Sequence, residues 1–181
     1  ILSRSGGSNG IGFAIPADLV GQFLVQAKAG RSNFVRPWAG MRGQPITFEM
    51  AASLNLPAMS GMIISELHEL SPFSKVGIGV GDIITKVDGL DINSPAEMLY
   101  RMSVAGIGAA VDVSYLSKGT IKSSKIDLVE IPNLKGKQVT LGPEFIFLDL
   151  RISELTPEFQ SKFGISFSST GLIVLDPGRI A

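Results

Sequence analysis

The chain has 181 residues, with 16 basic and 16 acidic side chains, no cysteine and a single histidine. That balance argues against a general binder of nucleic acid or anionic membranes, which would carry a basic excess. The absence of cysteine removes disulfides, thiol catalysis and cysteine-ligated zinc, and His68 alone gives no basis for a metal site. An apolar share of 45% with 18% charged residues fits packed structure rather than disorder. The length suits one domain and a remainder, or two small domains. No apolar run approaches the ~20 residues that span a bilayer, and no secretory signal opens the chain. It begins at Ile1 and reads as a fragment or a processed product.

Ser3 to Gly10 is a Gly/Ser loop. Ile11, Phe13 and Ile15 alternate with small residues as a short strand ended by Pro16. Ala17 to Ala29 places Leu19, Val20, Phe23, Leu24 and Ala27 on one stripe, which predicts an amphipathic helix capped by Gly30. Residues 31–37 read as a polar, basic linker. From Trp38 to about Pro132 the pattern is one compact mixed unit. It opens with a strand over Trp38 to Ile46, interrupted by Gly40 and Gly43. Thr47 caps a short helix over Phe48 to Leu54. Gly61 to Leu67 is an apolar strand, and Ser71-Pro72 starts a helix that stops near Gly77. Asp82 to Val87 is a strand closed by an Asp88-Gly89 turn. Ser94-Pro95 starts a further helix, with Met98, Leu99 and Met102 on its apolar face. Val111 to Leu116, Lys118-Gly119 and Ile121 to Val129 form a closing hairpin.

From Leu134 onward part of this unit repeats. Thr47, Glu49, Met50, Leu54 and Leu56 match Thr156, Glu158, Phe159, Phe163 and Ile165, each pair 109 positions apart. After one inserted residue, Gly61 to Ile64 matches Gly171 to Val174. The second copy stops before any match to the Asp82 strand or the Ser94 helix, and half a module cannot cover its own apolar face. Another chain, or a longer one, is needed to supply the missing half.

Two segments resemble one known architecture. GIGFAIP at Gly10 to Pro16, with the loop before it and the helix after it, resembles the end of the trypsin-like domain of HtrA/Deg-family proteases. WAGM at Trp38 to Met41 and SPFSKVGIGVGDIITKVDG at Ser71 to Gly89 resemble a PDZ domain of the permuted bacterial type found in those proteins. The resemblance implies a mixed α/β (α+β) fold. Its centre is a PDZ-like, partly open β-sandwich capped by two helices. The implied organisation is a protease-domain remnant over 1–30, a linker over 31–37, a first PDZ domain over 38–132 and an incomplete second one over 133–181. It further implies the C-terminal portion of a periplasmic serine endoprotease of protein quality control.

The residues for catalysis are missing from this stretch. The family's nucleophile, histidine and aspartate fall upstream of Ile1. Ser5-Gly6-Gly7 lacks the preceding Gly-Asn, and a serine without a positioned base is a weak nucleophile. Ser5 therefore reads as loop, no catalytic residue is assigned, and the chain alone is expected to be inactive. Neither a metal nor a cofactor is expected. His68, between Glu66 and Glu69, reads as a surface histidine at a strand end.

The sharper candidate is Trp38 to Gly43. A PDZ domain adds an extended peptide as a strand to a sheet edge beside a helix. Resemblance to the family's loop places the peptide carboxylate on the backbone amides of Ala39, Gly40 and Met41. Gly40 supplies the unusual backbone angle that an anion nest needs. The groove is expected to involve Trp38, Arg42, Gly43, Met98 and Met102. Trp38 is either an anchor for the loop or a core aromatic. Arg42 points either to the carboxylate or to solvent. Met98 and Met102 line the groove or fill the core. In the repeat, Trp38 to Met41 maps onto Phe147 to Leu150, and Asp149 replaces the glycine. Its carboxylate would repel a peptide terminus, so the second copy is expected to serve assembly or spacing. The partners implied are apolar C-terminal or extended segments of unfolded proteins, with a homo-oligomer in the intact protein and no nucleic acid. The alternative function is an assembly module that holds the protease's oligomer together.

Overall fold

The structure is a computed structural model that describes residues 14–53, 56 and 60–180. Ser5 and most of the expected Ile11–Ile15 strand lie outside the described residues. Helix α1 (Ala17–Lys28) is followed by the edge strand β1 (Met41–Pro45), α2 (Phe48–Ser53) and β2 (Met62–Leu67). Next come α3 (Pro72–Lys75), β3 (Ile83–Val87), β4 (Leu90–Asp91), α4 (Pro95–Ala105), β5 (Ala110–Ser117) and β6 (Thr120–Asp127). These strands form one antiparallel sheet in the order β1-β2-β3-β5-β6, with β4 paired to β3.

Local signals explain most of these elements. The Ser71 hydroxyl accepts the Phe73 N–H, and the Ser94 hydroxyl accepts the Glu97 N–H, each with proline at the first helical position. Both hairpin turns, Asp88-Gly89 and Lys118-Gly119, have two consecutive positive φ values. That is the turn whose twist matches the strands it joins. In β5, Val111, Val113 and Tyr115 are buried while Ala110 and Asp112 are exposed, the period of a strand with one face inward. These residues meet Phe73, Met62, Ile64, Ile84, Ile126 and Leu128 in a core that α4 covers with Met98 and Met102. Burial of each such side chain is worth about 1.5–3 kcal/mol.

Two expectations are corrected here. The first strand starts at Met41 and not at Trp38, because Gly40 has φ +60 and turns the chain. The apolar stripe of α1 is not buried: Val20, Phe23 and Leu24 are exposed, although the Phe23 ring lies beside Phe34 with centroids 6.3 Å apart. The helix touches α4 from its middle turns, where the Gln22 Nε2 donates to the Ala105 carbonyl at the end of α4.

The remainder holds β7 (Gln138–Thr140), β8 (Phe147–Leu148), β9 (Arg151–Glu154), α5 (Pro157–Phe163), β10 (Leu172–Asp176) and β11 (Arg179–Ile180). Three strands pair in the order β10-β9-β7, and β11 pairs with β8. Local hydrogen bonds recur at the spacing seen in the sequence. Thr47 Oγ1 accepts the Met50 N–H, and Thr156 Oγ1 accepts the Phe159 N–H. Leu56 N–H donates to the Ala51 carbonyl, and Ile165 N–H to the Gln160 carbonyl. Ile46 N–H donates to the Gly61 carbonyl, and Leu155 N–H to the Gly171 carbonyl. Sequence similarity therefore extends to backbone geometry.

Candidate peptide-binding site

β1 is the edge strand of the six-stranded sheet, and α4 lies along it. Between them opens a cavity of about 280 Å³. The loop 37–40 leads into its end. Gly40 adopts a left-handed conformation, which glycine enters without cost. A Cβ there would also meet the Trp38 ring at 2.8 Å and the Ser71 Cβ at 3.0 Å. Only glycine fits this position. The loop is fixed from outside: Trp38 N–H donates to the Val129 carbonyl, the Ser71 hydroxyl to the Ala39 carbonyl, and His68 N–H to the Gly40 carbonyl. The carbonyls are thus occupied, while the Ala39 and Gly40 N–H groups donate to nothing among the described residues. Two adjacent free amides at a left-handed turn are donors for an anion.

The expected groove residues do not all behave alike. Trp38, Ala39, Gly40, Met41, Arg42, Gly43 and Met98 border the cavity. Met102 does not. It is fully buried one turn further along α4, in the core beneath the groove. Trp38 is the loop's anchor: it is buried, its ring lies under Gly40, and its Nε1–H donates to Ser161 Oγ in α5. Arg42 points to neither a carboxylate site nor open solvent. It donates to the Ile165 carbonyl at 2.8 Å, faces Glu66 across the strand pair at 3.8 Å, and lies over the Phe167 ring. Gly43 sits at a β-bulge, where a Cβ would strike the Ile63 carbonyl at 2.7 Å.

The expectation of a surface histidine is wrong. His68 is buried between the Trp38 and Phe167 rings, edge-on to both. Its Nδ1 accepts the Leu70 N–H, and burial lowers its pKa, so the neutral imidazole is the native form. Sequence reading missed this because one of its two covers is 99 positions away. The same region holds Glu66 below the ordinary carboxylate range, chiefly through the Phe167 N–H, with help from Ser166 and Arg42. At the C-terminal end of β2 a larger cleft of about 940 Å³ lies between residues 65–70 and 166–172. Among the described residues, no cluster of three or more metal-ligating side chains is found.

The second loop has the same turn with different chemistry. Asp149 has φ +60, matching Gly40. Its N–H donates to the Leu141 carbonyl, and its carboxylate takes the Arg179 guanidinium at 2.9 Å. The strand after it, β9, corresponds to β1, yet its outer edge is paired with β7.

An edge strand entered through a glycine-turned loop, with a helix lying along it, is the arrangement of a PDZ domain. The PDZ domain family pattern matches residues 43–128. The chain is 33% identical over 137 residues to a probable periplasmic serine endoprotease, DegP-like, of Brucella suis, covering 76% of this chain and 26% of that protein. It is 27% identical over 175 residues to the protein of the same description from Chlamydia muridarum, covering 97% and 34%. The solved structure of the HtrA-type protease AlgW with decapeptide matches at a TM-score of 0.53 and 26% identity, over 74% of this chain and 41% of that one. The chain is therefore similar to the PDZ-bearing portion of these HtrA-type and DegP-like proteases. It spans about a quarter to a third of the length of these curated relatives. No described helix is long and apolar enough to cross a membrane.

Proposed function

We propose that this chain is the substrate-recognition part of a periplasmic HtrA-like serine endoprotease that acts on unfolded proteins. It takes apolar C-terminal or extended segments by adding them as a strand to β1. The observation that carries this reading is the pair of unoccupied amides at Ala39 and Gly40, at the mouth of the β1–α4 groove. With Met41 they would receive the peptide's terminal carboxylate in charge-assisted hydrogen bonds. The free edge of β1 would pair with the peptide backbone, and the last side chain would enter the cavity beside Met41 and Met98. The related AlgW was solved with a decapeptide, which supports peptide binding as the role of this chain.

The second loop, by contrast, takes no peptide terminus. Its amide is occupied, its aspartate is negative, and its strand edge is filled by β7. A role in assembly is favoured for this part by the exposed Phe147, Leu172 and Val174, an apolar surface that suits a partner chain. Size-exclusion chromatography with light scattering tests that role: a monomer at all concentrations removes it.

The main test is a titration with a fluorescent peptide ending in an apolar residue, as free acid and as C-terminal amide. Tight binding of the acid with weak binding of the amide is expected. Equal binding of both would mean that the groove reads internal segments and that Gly40 is only a turn.

A further inference from the structure

The groove is not walled by one module alone. Besides β1, α4 and the Gly40 loop, the cavity is bordered by Ser161 of α5 and by Phe167, both from the second repeat. Phe167 is held at several points. Its N–H donates to the Glu66 carboxylate at 3.0 Å, its ring stands edge-on to His68 with centroids 5.6 Å apart, and the Arg42 guanidinium lies 5.3 Å from its centre. Ser161 is held by the Trp38 indole N–H, from the residue whose ring supports Gly40. Both wall residues are therefore tied to the side chains that shape the loop.

We propose that Phe167 and Ser161 form the far wall of the pocket for the peptide's last side chain, so that the second repeat selects which C-termini the first one accepts. This rests on the reading of the Gly40 loop as a carboxylate site. It adds a specificity determinant more than 100 positions from that loop. Selection follows from shape. A rigid aromatic wall limits the depth available to a side chain, and in an apolar pocket one methylene too many or too few changes relative affinity by about tenfold or more. Glu66 acts as a positioning residue, because it holds the Phe167 N–H without bordering the cavity, whereas Arg42 borders the cavity and also lies over the Phe167 ring.

The test uses the full chain and four free-acid peptides that differ only in a last residue of Ala, Val, Leu or Phe, each paired with its C-terminal amide. Phe167→Ala is expected to shift the preference between Phe-ended and Ala-ended peptides by about tenfold towards the larger. Phe167→Leu should fall between, and Ser161→Leu should shift it the other way. Emission from Trp38, the only tryptophan, checks in each variant that the second repeat stays docked. The preference for acid over amide should survive throughout. A wild type that rejects every peptide beside a Phe167→Ala variant that takes the acids would support the wall in its most restrictive form. Equal changes for all four peptides would overturn the proposal, leaving Phe167 as a brace, while the acid preference would still uphold the loop. Loss of acid preference in the wild type and every variant would overturn both readings.

Discussion

The two repeats start from the same local geometry and arrive at opposite surfaces. Both have a Thr-capped helix, the same backbone hydrogen bonds around it, and a loop residue at φ +60. In the first, that residue is glycine, its amide has no acceptor among the described residues, and the strand after it is a sheet edge beside α4. In the second, it is an aspartate paired with Arg179, its amide is bound to Leu141, and the strand edge is covered by β7. The difference teaches that shape alone does not make a carboxylate site. Unsatisfied donors and an open edge must coincide with the turn.

The largest contrast should appear in the cores. Met102→Ala, at a fully buried position, is expected to cost about 2–5 kcal/mol in denaturant unfolding. Phe163→Ala, at the exposed end of α5, should cost no more than about 0.5 kcal/mol. A large loss at Phe163 would mean that the second repeat is as closed as the first.

Next come the loops themselves. Gly40→Asp makes the first loop like the second. It adds a charge, a strained φ and a clash with the Trp38 ring, and should weaken free-acid binding at least about tenfold, or about 1.4 kcal/mol. The reciprocal Asp149→Gly should create no second site, because β7 still fills the edge and Leu141 still holds the amide. Calorimetry showing two sites per chain in that variant would break the comparison. Thr47→Ala and Thr156→Ala should cost similar amounts, about 1 kcal/mol each, if the two caps are equivalent. Thermal melts of the two variants check this.

The smallest effect is on the seam between the repeats, read through Trp38 emission. His68 titrates below its free value of 6.5 because burial penalises the imidazolium. Its contribution is full at neutral pH and declines as pH falls from that value through the lowered one. The group faces Trp38 and Phe167, with Glu69 beside it in sequence partly opposing the shift, and the Glu66–Arg42 pair flanks the Phe167 side. Glu66 also titrates below its ordinary value. Its share is kept above about 4.5 and lost as pH falls through its lowered pKa. Acidification should therefore loosen the seam through both groups, while Glu66→Gln should remove the share that Glu66 contributes.

Much of this architecture was legible because its signals are local. Ser71-Pro72, Ser94-Pro95, Asp88-Gly89 and Lys118-Gly119 each set a start or a turn within four residues. The loop was legible through Gly40, and its altered copy through the repeat. The environment of His68 was not. Charged neighbours on both sides suggest water, whereas its cover comes from Trp38 and Phe167, one on each side of it in the sequence and both brought over it by the fold. Arg42 was ambiguous for the same reason, since its acceptor at Ile165 is 123 positions away. The division between Met98 and Met102 depended on which turn of α4 stands at the opening, which spacing alone does not encode.

The stretch 31–37, read as a linker, is held at several places. The Gln26 side chain donates to the Val35 carbonyl and accepts the Val35 N–H, each at 2.8 Å, as a neighbouring strand would. Arg31 is ion-paired with Glu130, at the far end of the first repeat, and Trp38 is tied to Val129. Ordering this connector therefore joins α1 to both ends of the first repeat, where a free tether would join it to one.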